Sequence, residues 1–218
     1  MAEQVTIYSP NRRHEYGIVK IWVIMARNVY ESRELIWQLF KRDFLAQYKK
    51  SFVGYTWVVL SPLIGVASWI FLQATGVLNS GDVGIPYPAY VLVGSSMWGL
   101  FMGFFQSASL SLRSGEGLMT QVKFPHEALF FIQLGQHMAN FAIVFLMNIV
   151  VLLALGVVPA WQTILLPLVC LPMLFLGGGI GLINGLIGAV SPDLQRIIQP
   201  ALGFMLYVTP VIYSDQVE

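Results

Sequence analysis

The chain has 218 residues, 56% of them apolar and only 11% charged, with a formal net charge of +1. Soluble domains carry about 25% charged residues, and so few charges cannot cover a globule of this size, which excludes a soluble monomer. The apolar excess also excludes a disordered chain, because disorder needs low hydrophobicity.

Residues 1–15 are polar and hold Glu3, Arg12, Arg13 and Glu15. They lack the apolar stretch that a secretory signal peptide carries soon after its basic start. Residues 1–17 read as an extension outside the membrane. The run Ile21–Ala26 is too short to span a bilayer and reads as a short interfacial or packed piece. Residues 31–50, ESRELIWQLFKRDFLAQYKK, predict an amphipathic helix. Ile36, Phe40, Phe44 and Tyr48 recur every four residues, with Leu35 and Leu39 alongside, and Lys41, Arg42, Lys49 and Lys50 lie mostly off that stripe. Such a helix either lies in the headgroup plane or packs its apolar face on the protein's own core.

The charge-free runs set the architecture. Ser51–Gly81 runs 31 residues without Asp, Glu, Lys or Arg, Val83–Leu112 runs 30, Ala128–Pro192 runs 65 and Ile197–Ser214 runs 18. A bilayer core about 30 Å thick takes about 20 helical residues. The third run would be about 97 Å as one helix, so it must turn, and Gly156–Pro159 supplies the break. The expected spans are 54–76, 87–108, 129–155, 161–190 and 195–213. They are expected to be helical, because the runs lack the period-2 alternation of barrel strands. The fold class is therefore an all-α membrane protein, a helical bundle with about five transmembrane helices. Its expected parts are an N-terminal arm over 1–50 and a membrane domain over 51–218.

Nine of the twelve basic residues precede the first span: Arg12, Arg13, Lys20, Arg27, Arg33, Lys41, Arg42, Lys49 and Lys50. Arg113 and Lys123 lie between spans two and three, and Arg196 between four and five. The alternate segments hold none, so the positive-inside rule puts the N-terminus in the cytoplasm. Between spans two and three, Gly115 and Gly117 punctuate a predicted loop. A short helical turn is predicted at 118–122, ended by Phe124-Pro125.

Three motifs now carry a resemblance. The stretch RDFLAQYKKSFVGYTWVVLSPL resembles the entry to the first span in ABC-2 type permeases of the O-antigen, capsule and teichoic-acid export group, matched at Arg42, Asp43, Tyr48, Gly54, Trp57 and Pro62. LMTQVKFP is similar to that family's coupling-helix segment at Leu118, Phe124 and Pro125, although Thr120 and Gln121 stand where basic residues are common. YVTPVIY resembles its signature near the end of span five, at Pro210 and Tyr213.

The resemblance implies a permease subunit that moves lipid-linked polysaccharide across the bacterial inner membrane. It implies a second copy of the chain, two ABC ATPase subunits carrying ATP and Mg, and an undecaprenyl-type lipid-linked glycan as substrate. Contact with the ATPase is expected at Ser114, Glu116, Leu118, Gln121, Lys123, Phe124 and Pro125. The interface helix is expected to use Ile36, Phe40, Arg42, Asp43, Phe44 and Tyr48. The family has a sixth span beyond a re-entrant hairpin, so the 218-residue chain is expected to be C-terminally truncated. Exporters of small lipids or drugs share the fold, and a polyprenol-lipid-modifying enzyme is a further alternative.

No Gly-Lys dipeptide occurs, so the chain carries no Walker A loop, and ATP must bind elsewhere if it drives this protein. His14, His126 and His137 show no metal-ligand spacing. No paired carboxylates lie at membrane depth, which argues against acid–base catalysis. No cofactor, metal or nucleic acid is expected on this chain. His137, with Gln133, Gln136 and Asn140 near it, serves either helix–helix hydrogen bonding or a pore lining. Tyr55, Trp57, Trp98, Phe101 and Phe105 belong to the aromatics that anchor membrane interfaces or, as the resemblance implies, form a stacking surface for sugar rings. Gly177, Gly181 and Gly185 recur every four residues and predict a small-residue packing face. Cys170, the single cysteine, reads as a small buried hydrophobe.

Overall fold

The computed structural model describes residues 18–49, 56–79, 81–119 and 126–214, which form seven α-helices and a 3-10 turn, with no strand among the described residues. The helices are α1 (Ile18–Glu31), α2 (Arg33–Lys49), α3 (Thr56–Ala74), α4 (Tyr87–Met119), α5 (His126–Ala154), α6 (Leu166–Val190) and α7 (Pro192–Val208). The 3-10 turn, Trp161–Leu165, leads directly into α6. An all-α membrane bundle is the result.

Every expected span is helical, but not all are equally long. Tyr87–Ser111 of α4, Ala128–Ala154 of α5 and Trp161–Val190 through α6 are long and apolar enough to cross a bilayer. The apolar part of α3, Val59–Ala74, is shorter, and α7 has 17 residues and stops at Val208 rather than running on to 213. The cause of that stop is local. Thr209 leaves the helix at φ −91°, ψ 143°, the extended region to which a following proline, here Pro210, drives its neighbour.

A second departure lies in α4, which continues without interruption to Met119 through Gly115 and Gly117, where a loop was expected. A glycine costs a helix interior about 1 kcal/mol relative to alanine, and that is too little to end a helix of 33 residues. Ser114, Glu116 and Leu118 therefore stand on the last turns of α4. Their side chains, and all of Gln121, Lys123, Phe124 and Pro125, lie outside the described residues.

The core is the contact between α4 and α6, the most extensive in the bundle. Helix α6 buries one stripe at three- and four-residue spacing: Cys170, Leu174, Gly177, Gly181, Asn184, Gly185 and Gly188, with Gly178 beside it. Its other faces expose Leu168, Val169, Leu176, Ile183 and Leu186. A helix that is apolar all round is a buried or membrane-spanning helix, so its exposed faces are suited to lipid or to a neighbouring helix. Glycine is required where the backbones meet. A Cβ at Gly181 would stand 2.5 Å from the Phe105 carbonyl oxygen, and one at Gly178 would stand 2.6 Å from the Phe104 ring. Between lipid-embedded helices, such close backbone approach is the main source of association.

At one end of the bundle, Val66, Tyr87, Val91, Leu92 and Ile212 form a buried cluster. The Tyr87 hydroxyl donates to the Ile212 carbonyl at 3.1 Å, and the Tyr90 hydroxyl lies 2.6 Å from the Pro210 carbonyl oxygen and 3.0 Å from that of Tyr213. These hydroxyls supply partners to carbonyls left without a helical donor where α7 stops.

At the other, basic end, α2 lays Leu35, Ile36, Leu39 and Phe40 on Ala128, Leu129 and Ile132 of α5. Part of its apolar face thus packs on the protein's own core. Phe44 stacks on Phe40 at 5.7 Å, and Arg42 pairs with Asp43 at 2.7 Å on the exposed side. The side chain of Tyr48 lies outside the described residues. Helix α1 extends well beyond the short apolar piece read from Ile21–Ala26. Lys20, Arg27 and Glu31 share one face of it by helical spacing, and Arg27 pairs with Glu31 at 2.7 Å. That contact holds the Arg27 guanidinium above its ordinary pKa.

Candidate substrate-facing cleft

Polar side chains are scarce in the spans, so their meeting place carries information. A cleft of about 360 Å³ opens between α3, α4 and α5, and Trp57, Ser61, Ser95, Ser96, His137 and Asn140 line it. Helix α3 contributes Trp57 and Ser61 from its first two turns, beside Pro62, which removes one backbone donor from the helix. Trp57 is 52% exposed.

Helix α4 supplies the serines. Ser95 Oγ donates to the Val91 carbonyl at 2.5 Å and Ser96 Oγ to the Leu92 carbonyl at 2.6 Å. Such back-bonding satisfies the hydroxyl proton inside its own helix and leaves the oxygen lone pairs as acceptors toward the cleft. Asn148 Oδ1 of α5 lies 3.4 Å from Ser96 Oγ.

Helix α5 brings His137 and Asn140, one turn apart. His137 Nε2 and Ser107 Oγ of α4 are 2.8 Å apart. The Phe104 ring meets the imidazole edge-on at 5.5 Å, and Gly103 gives it room, since a Cβ there would lie 3.1 Å from His137 Cε1. Of the roles weighed for His137, the contact with Ser107 is helix–helix hydrogen bonding, and the residue also lines the cleft. The wall holds hydroxyl, imidazole and carboxamide groups beside one indole and the apolar Pro62, Leu100, Phe141 and Val144, and no carboxylate, lysine or arginine lines it among the described residues. Chemically it suits a neutral ligand rich in hydroxyl groups, gripped by many weak contacts.

With this geometry in hand, comparison with known proteins is decisive: residues 34–217 match the ABC-2 type transporter family. The chain belongs to that family. It is 28% identical over 190 residues to the O-antigen export system permease protein RfbA of Myxococcus xanthus, covering 87% of this chain and 72% of that one. Two proteins of the same description from Klebsiella pneumoniae are 21% identical over 184 residues, covering 84% of this chain and 70% of theirs.

Within the ABC-2 bundle, the aromatics expected along a glycan path divide. Trp57 lines the cleft, whereas Tyr55 lies outside the described residues. Trp98 is half-buried, with its ring centroid 5.6 Å from that of Phe101. Phe101, 8% exposed, and Phe105, 1% exposed, are corrections to the reading of these residues as an open stacking surface. Both sit in the α4–α6 interface, where Phe101 fills the space over Gly177 and the Phe105 backbone lies against Gly181. Gly185 is buried on the same stripe. Ser61, Ser95 and Ser96 were not singled out from the sequence. The available signal was the adjacent serine pair in the middle of a charge-free run.

A second polar pocket, about 260 Å³, lies between α4, α6 and α7 and is lined in part by Gln106, Ser109, Asn184, Gln195 and Arg196. Asn184 Nδ2 donates to Ser109 Oγ at 3.2 Å, a buried bond that adds a polar tie to the glycine interface.

Proposed function

We propose that this chain is the membrane-spanning permease subunit of an ATP-driven exporter of lipid-linked polysaccharide, of O-antigen, capsule or teichoic-acid type, in the bacterial inner membrane. The naming of the relatives as O-antigen export permeases supports the substrate class. The observation that carries the reading is the cleft in which uncharged hydrogen-bonding groups stand among apolar side chains beside the half-exposed Trp57. A hydrogen bond nets about 1 kcal/mol once water is exchanged, so each contact breaks readily and a repeating polyhydroxylated chain advances by trading one for the next. Flat indole faces meet the C–H faces of sugars without requiring one arrangement of groups.

Two copies of the chain enclose the path. Two ATPase subunits bind ATP and Mg and act from the cytoplasmic side, where positive-inside asymmetry puts α1 and α2. Power reaches the cleft along α4. Residues 112–119 carry that helix about 12 Å past its apolar part, so a push on segment 114–125 moves the same rigid element that holds Ser95 and Ser96. Helix α2, packed on the start of α5, seats the partner from the other side.

The test is complementation. In a bacterium lacking its own O-antigen permease, the wild-type chain, expressed with its ATPase, should restore surface glycan. Ser95→Trp, which fills the cleft, should abolish display while the complex still assembles. Leu118→Ala with Phe124→Ala should uncouple ATPase stimulation from export. Normal glycan display by Ser95→Trp would overturn the reading.

A further inference from the structure

Away from the cleft, helices α1, α2 and α5 enclose an apolar groove of about 860 Å³, lined by Trp22, Met25, Val29, Trp37, Phe131 and Gly135 among others. Its volume lies toward the upper end of the range for specific small-molecule sites, about 300–1,000 Å³. Phe131 and Gly135 belong to the first turns of the apolar stretch Ala128–Ala154 of α5, at the basic end of the bundle. Its wall includes Arg33, whose guanidinium lies 4.6 Å from the Tyr30 centroid, and the Lys41 ammonium lies 5.0 Å from the ring of Trp37, another lining residue. Neither forms a salt bridge among the described residues, whereas Arg27 and Arg42 both do. An apolar trough with Arg33 in its wall and Lys41 over the ring of a lining residue, neither cation in a salt bridge, complements a molecule with hydrocarbon tails and an anionic head.

We infer that the α1–α2–α5 groove is a binding site for an anionic phospholipid, with acyl chains along Trp22, Met25 and Phe131 and the headgroup phosphate at Arg33 and Lys41. Basic pockets beside membrane helices hold anionic headgroups in this manner. The site does not depend on what the cleft transports. It uses different residues, and its occupant is a structural lipid that fixes the arm carrying α1 and α2 against α5.

Native mass spectrometry of the detergent-purified chain tests this, with phosphatidylglycerol and phosphatidylcholine of matched acyl chains. Phosphatidylglycerol should be retained about tenfold more tightly, since each basic side chain near an anionic lipid contributes a several-fold preference. Arg33→Gln with Lys41→Gln should abolish the headgroup preference, whereas Lys20→Gln, off the groove, should keep it. Ala26→Trp, which narrows the groove, should lower retention of both lipids. Equal retention of the two lipids by the wild-type chain would contradict the site, and that comparison needs no variant to fold. Tighter retention of a polyprenyl phosphate than of phosphatidylglycerol would assign the groove to the export substrate and contradict it too. So would lipid uptake seen only after residues 1–17 are cut away.

Discussion

Ser107 of α4 and His137 of α5 meet at 2.8 Å, Oγ to Nε2, and this contact fixes the imidazole that walls the polar cleft. Removing either partner breaks the bond, but only one of the two faces the cleft. Ser107→Ala should cost about 0.6 kcal/mol and at most about 1.7, the range for interhelical hydrogen bonds in membranes, and leave export largely intact. His137→Leu should lose the same stability and also lower export. Thermal unfolding in detergent reads the first effect and surface glycan the second. An equal export defect in both variants would mean that the bond, not the cleft wall, is what matters.

The glycine face of α6 makes a sharper contrast between neighbours. Gly181→Ala drives a Cβ to 2.5 Å from the Phe105 carbonyl oxygen, whereas nothing lies within 4 Å of the same atom at Gly179. Gly181→Ala should destabilise by about 1–3 kcal/mol, as overpacking does. Gly179→Ala should be neutral or stabilising by up to about 1 kcal/mol, because alanine is the better helix former. Unfolding midpoints of the two variants in the same detergent check the pair.

Tyr87 and Tyr90 should also separate. Tyr87→Phe leaves the buried Ile212 carbonyl without its donor, a loss of about 1–3 kcal/mol. Tyr90→Phe frees carbonyls of Pro210 and Tyr213 at a more exposed site, where water substitutes, and should cost less. Protease sensitivity of the 209–214 segment, compared between the two variants, reads the difference.

These contrasts mark how far the sequence reached. Charge-free runs located the helices because lipid tolerates only helices and closed barrels and the runs lack barrel alternation, and the spacing of Gly177, Gly181 and Gly185 identified a packing face. The same reasoning misjudged α4 at Gly115 and Gly117, since composition marks glycine as a breaker while a long helix absorbs its small cost. Phe101 and Phe105 were misread because an aromatic's setting depends on its neighbour. Both lie where α6 brings glycines against α4, Gly177 under the Phe101 ring and Gly181 against the Phe105 backbone. Helix α1 was seen as its apolar middle alone, although Lys20, Arg27 and Glu31 already share one helical face. The serines of the cleft were hidden by the hydropathy of the run around them.

Orientation follows from the basic residues. Placing one Lys or Arg at the centre of a span costs about 2.5–3.5 kcal/mol, and the twelve in this chain all fall in segments assigned to one side. Single cysteines at Ser80 and Ser114 should react differently with an impermeant thiol reagent added to intact cells, the first labelled and the second protected. The native Cys170 is buried and adds little background. Labelling of Ser114 alone would invert the topology.

The central claim is that a glycan passes along the cleft between α3, α4 and α5. A photo-crosslinking amino acid at Ser95, in the chain assembled with its ATPase and turning over ATP, measures this directly. The account predicts adducts to polysaccharide that require ATP, and none from the same probe at Val169, which is exposed away from the buried stripe of α6 and does not line the cleft. Absence of glycan adducts at Ser95, or equal adducts at both positions, would contradict it.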